Sequence, residues 1–335
     1  MLTRRTLIET AGGAMLAALA RTPARAGSAP DATRKKGARS FVIFSKHLPD
    51  LNWSDLASAA IDMGFDGIDL TVRPRGHVLP ERVTEDLPRA LDAIRAKGTR
   101  VAMITTELTS ARQPAARPIL EAAGKAGIRL VKLGYWKYEL KDVRAELAAM
   151  ARDIEGLVAI AREHDVELGV HNHAGNIGGG IFDIAPHMDK LDAKHVGYYF
   201  DPRHAVVEGG GIGWKAATLL VAPRLKMIAV KDFIWENTPK GWALKNVPMG
   251  EGQVEWPWFA TTIAQAGYGG PISVHLEYKI DGATPADIQR NTMAAAKKDL
   301  AFTKRMFNVD ARAERTREEG CTACVAGCEV NEVRA

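Results

Sequence analysis

The sequence of 335 residues contains only three cysteines, Cys321, Cys324 and Cys328, and all of them lie close to its end. The body of the chain therefore cannot form the disulfide framework that holds many small secreted domains together. A metal or iron–sulfur site on these three thiols would need a fourth ligand from elsewhere. We expect residues 308–335 to form a flexible tail with at most one disulfide.

Long apolar runs and a strong charge imbalance are also missing. The longest apolar stretch lies in the first 20 residues and is interrupted by glycines, so we expect no stable membrane anchor later in the chain. The net charge is +5, and the basic residues are scattered rather than arranged in the aromatic-interleaved stripe of a nucleic-acid groove. With 46% hydrophobic and 25% charged residues, the composition is that of a globular protein without a nucleic-acid partner.

The first 26 residues follow the order of an export signal. The pair Arg4-Arg5 precedes the apolar stretch 11–20, and the small-residue pattern Ala24-Arg25-Ala26 closes the segment. This arrangement resembles a twin-arginine (Tat) signal. We therefore predict a Tat signal peptide over residues 1–26, a leader over 27–39, and a protein that the Tat machinery exports to the periplasm. The alternative is a coincidental arginine pair in a Sec signal or an anchor.

Between residues 40 and 307, short apolar segments alternate with longer amphipathic ones. Strands are predicted at 40–45, 67–71, 100–105, 130–134, 166–171, 195–200, 225–230 and 272–277. Helices are predicted at 53–63, 85–97, 115–126, 143–164, 182–191, 214–222, 256–266 and 285–306. A doubly wound open sheet has the same alternation, but eight strand–helix units favour an α/β fold with a single (β/α)₈ TIM barrel over residues 40–307.

Polar side chains occur where the last four predicted strands end, which is the end of a barrel that carries chemistry. A single histidine or aspartate in such a place is as often a loop or helix cap as a ligand. Four neighbouring strand ends together point instead to one site. The residues are His171 and His173, Asp201, Arg203 and His204, Lys231, and His275 and Glu277.

Four segments carry a resemblance to a known family: Gly64-Phe65-Asp66-Gly67-Ile68-Asp69-Leu70, Phe200-Asp201-Pro202-Arg203-His204, Val230-Lys231-Asp232, and the approach to the last strand, Gly269-Gly270-Pro271-Ile272-Ser273-Val274. In order and spacing they resemble the xylose-isomerase-like TIM-barrel superfamily, which includes sugar and sugar-phosphate isomerases and epimerases. The resemblance implies one divalent metal, Mn, Zn, Mg or Co, held by Glu, Asp, His and Glu from strands five to eight. It also implies that the two glutamates move a proton next to a sugar carbonyl through an enediolate.

The sequence departs from this pattern at three of the four ligand positions. Asp201 matches the aspartate and His204 matches a substrate-contacting histidine, but His171 replaces the first glutamate and His275 the second. Ala229 stands in place of the strand-seven histidine and cannot coordinate a metal. The resemblance thus implies a ligand set of His171, Asp201 and His275, with His173 or Glu277 completing it. The alternative is a degenerate site that binds no metal.

The remaining candidates would act on the substrate. Glu277 is the expected base, with His173 and His204 as other proton acceptors, and Lys231 could neutralise a developing enediolate or a phosphate. Five side chains are predicted substrate contacts, either as sugar-stacking rings on the rim or as polar groups near the strand ends. They are Trp136, Trp235, Arg73, His77 and Arg203.

Three functions remain open on this evidence. We favour an exported sugar isomerase or epimerase that transfers a proton beside a carbonyl with the help of a metal. A keto-sugar lyase or dehydratase on the same barrel and a noncatalytic periplasmic sugar-binding protein are the alternatives. Because sugar phosphates are mainly cytoplasmic, export favours a free keto-sugar as the small-molecule carbohydrate partner. An oligomer is possible, and a DNA-repair endonuclease is rejected.

Overall fold

The structure is a computed structural model, and it describes residues 39–308. The predicted signal peptide, nearly all of the leader and the cysteine-containing tail lie outside the described residues. Among residues 39–308, no helix combines the length and the apolar character that a membrane crossing requires.

Ten strands lie in this part of the chain, and eight of them form a closed parallel barrel. They are β1 (Ser40–Phe44), β2 (Gly67–Thr71), β3 (Val101–Thr105), β4 (Leu130–Lys132), β5 (Glu167–His171), β6 (Val196–Phe200), β7 (Leu225–Val230), β8 (Asp232–Thr238), β9 (Gly241–Val247) and β10 (Pro271–Val274). The order around the barrel is β1-β10-β7-β6-β5-β4-β3-β2, so all strands except β8 and β9 belong to it. The prediction of an α/β TIM barrel is confirmed.

Helices cover the outside of the barrel and bury their apolar faces against the strands. They are α1 (Trp53–Met63), α2 (Val83–Ala96), α3 (Ala116–Lys125), α4 (Val143–Glu163), α5 (Ala185–Met188), α6 (Pro202–Val221), α7 (Trp256–Gln265) and α8 (Pro285–Phe307). Local sequence accounts for several ends. Gly64 ends α1 with a positive φ of 88°, and a capping box of Thr284 and Asp287 begins α8.

Two regions differ from the sequence prediction. Strands β8 and β9 form an antiparallel hairpin that was not predicted, since half of its side chains are exposed, only two are buried, and the pattern shows no buried periodicity. Helix α6 begins twelve residues earlier than predicted, because Asp201 caps its first turn and Pro202 occupies its first position. Gly210, with φ 53° and ψ −165°, kinks this helix within the glycine run 209–211.

The inside of the barrel is filled by a small apolar cluster separate from the outer core. Its members are Met103, Leu130, Tyr199, Met227 and Ala229. The packing is close, because a Cβ on Gly169 would come within 2.1 Å of Met227 Cε. Successive residues of a strand face opposite sides, so the inward positions continue from this cluster toward the carboxyl ends of the strands. The cluster therefore closes the barrel interior below the carboxyl ends of the strands.

Candidate active site at the mouth of the barrel

A cavity of about 310 Å³ opens at the carboxyl ends of the strands. It is lined mainly by side chains at or just after the ends of barrel strands, as expected for chemistry on this fold. The lining residues are Phe44, Lys46, Arg73, Thr105, Lys132, Tyr135, His171, His173, Tyr199, Arg203, His204, Lys231, Asn246, His275 and Glu277.

Three buried side chains could hold a metal ion: His171 and His204, which line the cavity, and Asp201, which lies beside both of them. Their potential ligand atoms lie within 4.8 Å of one another. Asp201 Oδ2 is 3.7 Å from His171 Nε2 and 3.8 Å from His204 Nε2. The last residue of β5, the residue after β6 and the first turn of α6 thus converge on one point.

These same three atoms are buried and accept or donate no hydrogen bond within the described residues. Leaving a buried polar atom without a hydrogen bond lowers the free energy of unfolding by about 1–3 kcal/mol. Three such atoms close together therefore indicate a place where a ligand binds. Two imidazoles and one carboxylate are ligands that suit zinc or manganese. The donor set therefore fits a divalent ion with open coordination positions.

The other ends of these side chains are held in place. Tyr135 Oη lies 3.0 Å from His171 Nδ1, and Asp201 Oδ1 accepts the His204 backbone N–H at 3.2 Å. Asn172 links both strand ends, since its side chain donates to the Asp201 carbonyl and accepts from the Asp201 N–H. Such outer contacts orient metal ligands in known sites.

His204 has a second possible role that follows from its neighbour. Arg203 Nη1 lies 2.9 Å from His204 Nδ1, and because a guanidinium can only donate, Nδ1 must accept. Burial lowers the pKa of His204 well below its usual value, so the ring is neutral and carries its proton on Nε2. In this tautomer His204 donates a hydrogen bond, as a substrate-contacting histidine would. His171 and Asp201 are then the firmer ligands, and His204 can join them only if the Arg203 contact is released.

Lys231, directly after β7, provides the main positive charge beside this group. Its Nζ lies 3.2 Å from Asp201 Oδ2 and 3.9 Å from Glu277 Oε1, and the side chain is 5% exposed. The cation keeps the pKa of Asp201 below its ordinary value despite complete burial. Ala229, two residues earlier on the same strand, is buried in the inner cluster and offers no ligand.

Glu277 lies across the cavity as an ionised carboxylate. Lys46 Nζ contacts its Oε1 at 2.7 Å, and the charges of Lys231 and Lys46 overcome the effect of burial and lower the pKa of Glu277 to about 2. The hairpin β8–β9 reaches this point, because Asn246 donates to the Glu277 carbonyl and accepts from Arg203. Glu277 thus keeps its negative charge at neutral and mildly acidic pH.

The structure separates His275 from the group of possible metal ligands. Its Nε2 lies 3.0 Å from Tyr199 Oη, its Nδ1 is 3.9 Å from Glu277 Oε1, and its ring stacks on Phe44 at 4.5 Å. The expected ligand set therefore differs from the observed grouping in one member, with His204 where His275 was predicted. Strand β10 ends at Val274, so strand alternation no longer sets the direction of His275.

His173 is the remaining histidine of the predicted set. Its ring centroid lies 4.0 Å from that of His204, and it lines the cavity without belonging to the buried group. Burial and the charge of Lys231 lower the pKa of His173, so the ring is neutral at neutral pH. A neutral imidazole beside the cavity can accept a proton.

The predicted substrate contacts divide into two groups. Arg73 and Arg203 line the cavity. The other three are not among its lining residues in the described part of the chain. Trp136 packs against the outer core, Trp235 is 42% exposed on the hairpin, and His77 is tied to Thr71 Oγ1.

Seven lining residues were missed in the sequence: Phe44, Lys46, Thr105, Lys132, Tyr135, Tyr199 and Asn246. Lys132 ends a strand and Tyr135 follows it, so their position gave a signal that could have been used. Lys46 follows β1 in the same way. Asn246 could not have been found, because it belongs to the hairpin that the sequence did not reveal.

Fold and site together define a TIM-barrel protein with a polar, metal-capable pocket at the carboxyl ends of its strands. The family model described as "Xylose isomerase-like TIM barrel" matches residues 57–306, and the chain belongs to this family. No curated protein matches the sequence significantly.

Solved structures of low sequence identity share the fold. D-psicose 3-epimerase from Clostridium cellulolyticum H10, solved with D-tagatose, is 13% identical with a TM-score of 0.60, and the match covers 80% of this chain and 99% of that one. The IolI protein, solved with a bound zinc atom, is 13% identical with a TM-score of 0.63 over 80% and 98% of the two chains. A xylose isomerase-like protein from Mycobacterium smegmatis in complex with magnesium is 14% identical with a TM-score of 0.58 over 78% and 98%.

Proposed function

We propose that the protein is a carbohydrate isomerase or epimerase that transfers a proton at the carbon next to a sugar carbonyl. The observation that carries the proposal is the convergence of His171 Nε2, Asp201 Oδ2 and His204 Nε2, all buried and without a hydrogen bond in the described chain, beside the cavity that also holds Glu277. Among proteins of the same fold, D-psicose 3-epimerase acts on sugars and two other proteins were solved with a metal.

The metal would be held by His171 and Asp201, with His204 as a third ligand when Arg203 releases its ring. When bound, a divalent ion supplies Lewis-acid polarisation of the substrate's carbonyl oxygen. Burial lowers the pKa of His171 well below its usual value, so the ring is neutral and one of its two nitrogens carries no proton and can bind a metal. In the tautomer set by Arg203, His204 donates a hydrogen bond from Nε2 to a substrate oxygen.

Two groups can move the proton. Glu277 is ionised and lines the cavity, and its contact with Lys46 weakens it as a base while orienting it. His173 lines the cavity as a neutral imidazole. We assign the abstraction to Glu277, which becomes a carboxylic acid and returns the proton to the substrate, and His173 is the other possible proton acceptor. Lys231, 3.9 Å from Glu277, stabilises negative charge that develops on the substrate.

The proposal is tested by proton exchange, which needs no knowledge of the product. The purified protein is supplied with Mn²⁺, Zn²⁺, Mg²⁺ or Co²⁺ in D₂O and incubated with neutral and acidic keto-sugars. We expect deuterium to enter at the carbon next to the carbonyl, detected by proton NMR. An isomer or epimer of the sugar should accumulate at the same rate or more slowly.

Asp201→Asn is the matched inactive variant, because asparagine preserves the cap of α6 but not the charge. Loss of water from the sugar, with a new absorbing enone, would identify a lyase or dehydratase instead. Sugar binding without any deuterium uptake, in the presence of a bound metal, would identify a noncatalytic sugar-binding protein.

Export to the periplasm is a separate proposal that rests on residues 1–26 alone. Changing Arg4 and Arg5 together to lysine should cause the precursor to accumulate in the cytoplasm, because the Tat machinery reads the arginine pair. Cell fractionation with an antibody to the barrel measures this. Unchanged delivery of the double variant in cells that lack the Tat translocase would reject the proposal.

A further inference from the structure

The cavity has more positive than negative charge on its walls. Five of its lining side chains are cationic, whereas Glu277 is the one lining carboxylate in the described part of the chain. Glu277 is engaged with Lys46 and faces Lys231, which also pairs with the buried Asp201. The other three lining cations, Arg73, Lys132 and Arg203, form no ion pair with Glu277 or Asp201.

Lys132 is the most unusual of these cations. It ends β4, is 2% exposed, and lines the cavity. Within residues 39–308 no hydrogen bond or ion pair reaches its ammonium group, whose Nζ lies 3.7 Å from the centroid of the Tyr135 ring. A buried ammonium without an anionic partner is costly, and a cation–π contact recovers only part of that cost.

The nearby acids do not neutralise Lys132. Asp69 accepts hydrogen bonds from Thr105 and Ser273 on the cavity floor, and burial raises its pKa to about 6. Glu107 faces Arg73 at 3.5 Å from a half-exposed position. The ammonium of Lys132 therefore has no carboxylate of its own.

Arg73 lies close enough to Lys132 for the two charges to affect each other. Burial and the charge of Arg73 are the two main causes that lower the pKa of Lys132 to about 7. Arg73 Nε is itself buried and has no hydrogen-bond partner in the described chain. Both side chains line the cavity and keep a donor without a partner in the described chain, and a metal at His171 and Asp201 would add further positive charge.

We propose that Lys132 and Arg73 form a subsite for an oxyanion, the carboxylate or phosphate group of the sugar substrate. This inference rests on the proposed function, because it names the class of substrate that the same pocket accepts. Arg73 offers a planar fork that suits either anion, and Lys132 adds a compact charge from the neighbouring wall. The preferred substrate is accordingly an acidic sugar rather than a neutral one.

The test uses small anions and requires no turnover. Thermal unfolding of the metal-loaded protein is followed in chloride, acetate and inorganic phosphate at equal ionic strength. We expect acetate or phosphate at millimolar concentration to raise the Tm by about 2–4 °C over chloride, because an anion that binds only the folded state stabilises it. If only acetate raises the Tm, the substrate carries a carboxylate group. If only phosphate raises it, the substrate carries a phosphate group.

Lys132→Met should abolish this shift and should itself raise the Tm in chloride, because it removes an unpartnered buried charge. Lys137→Met is the matched control, since it removes the same charge from an exposed position five residues away. Its anion response should equal that of the wild type. Arg73→Gln is a second variant that should weaken the response.

Two results would overturn the subsite. One is a wild-type Tm that is identical in all three salts. The other is an anion response that persists in Lys132→Met, which would indicate a general salt effect on stability. Deuterium exchange into a sugar could succeed in either case, so failure of the subsite is distinguishable from failure of the proposed function.

Discussion

Both ends of the barrel carry buried polar groups, but seven of the nine buried side-chain atoms that lack a hydrogen-bond partner in the described chain lie at the carboxyl end. At the amino end, Lys226 Nζ donates to Glu167 Oε2 at 2.5 Å and to the Lys194 carbonyl at 3.1 Å, and His195 Nδ1 lies 3.0 Å from the Val166 carbonyl. At the carboxyl end, His171 Nε2 has no partner in the described chain. Glu167 and His171 are the first and last residues of the same strand, β5.

Two neighbouring aspartates show the same contrast within the carboxyl end. Asp232 accepts hydrogen bonds from the backbone N–H groups of Phe233, Gly250 and Val254 and from Trp256 Nε1 at 2.7 Å. Asp201 Oδ2 accepts no hydrogen bond in the described chain and pairs with the Lys231 ammonium at 3.2 Å. Asp232 therefore anchors the hairpin and α7, whereas Asp201 keeps an oxygen that makes an ion pair but no hydrogen bond. Unmade hydrogen bonds, rather than charge or burial alone, mark the part of this barrel that is built for a ligand.

The largest expected effect is acid unfolding that originates at the carboxyl end. Burial lowers the pKa of six of the nine histidines, and all six follow barrel strands at that end: His47, His77, His171, His173, His204 and His275. They stay neutral when folded but take up protons below pH 6.5 when unfolded. Their stabilising effect is therefore present above pH 6.5 and lost as the pH falls, by up to about 2 kcal/mol per histidine between pH 7 and 5.

Urea unfolding of the metal-free protein from pH 8 to 5 measures this loss. The raised pKa of Asp69 and Asp299, about 6 in each case, acts in the opposite direction but involves only two groups. His275→Gln should make the pH dependence shallower, whereas His187→Gln should not, since His187 lies away from the cavity on α5. A free energy of unfolding that does not change over this range would contradict the contrast between the two ends.

The second prediction compares the two aspartates. Asp201→Asn should abolish metal binding and lower kcat/KM on the order of 10³-fold, since a Lewis acid contributes several kcal/mol to such a reaction. Its stability should change little. Asp232→Asn should keep the metal but lower the free energy of unfolding by about 2–3 kcal/mol, because hydrogen bonds to a charged acceptor are lost.

Elemental analysis and denaturant unfolding of both variants distinguish the two roles. If Asp232→Asn released the metal while Asp201→Asn retained it, Asp201 Oδ2 would not be the metal ligand.

The third prediction concerns Glu277. Glu277→Gln should lower kcat by about 10²-fold, the lower end of the range for a general base, because a carboxylate with a pKa of about 2 is a weak base. The metal content should stay the same. Glu251→Gln is the matched control, as Glu251 pairs with Lys298 on the surface at 2.7 Å. Release of the metal from Glu277→Gln would show that Glu277 is a ligand and leave His173 as the base.

The smallest effect on function is expected at the amino end. Lys226→Met leaves Glu167 buried without its main partner and should lower the free energy of unfolding by about 3 kcal/mol. The activity of the folded fraction should be unchanged, as measured by steady-state kinetics at a temperature where the variant is folded. The double variant with Glu167→Leu should recover most of the stability. A fall in kcat for Lys226→Met would mean that the amino end also serves the reaction.

The barrel and the location of its site could be predicted from the chain pattern. Eight apolar segments alternating with amphipathic ones require a closed parallel sheet covered by helices, and such a sheet brings its carboxyl ends together. Of the residues predicted at these strand ends, His171, Lys231 and Glu277 line one cavity, and Asp201 lies 3.2 Å from Lys231. The direction of a side chain within or next to a strand is set by that strand, so the local sequence is sufficient to predict where such a side chain lies.

Groups placed by loops could not be predicted in the same way. His275 lies beyond the end of β10 and turns toward Tyr199, while His204 enters the buried group because α6 begins at Pro202. Asn246 reaches Glu277 from a hairpin with little buried surface and hence little pattern. The sequence also could not show that the Lys132 ammonium lacks a partner. Whether a buried charge is paired depends on the residues that all the surrounding strands and loops bring to the cavity, and not only on the strand that carries it.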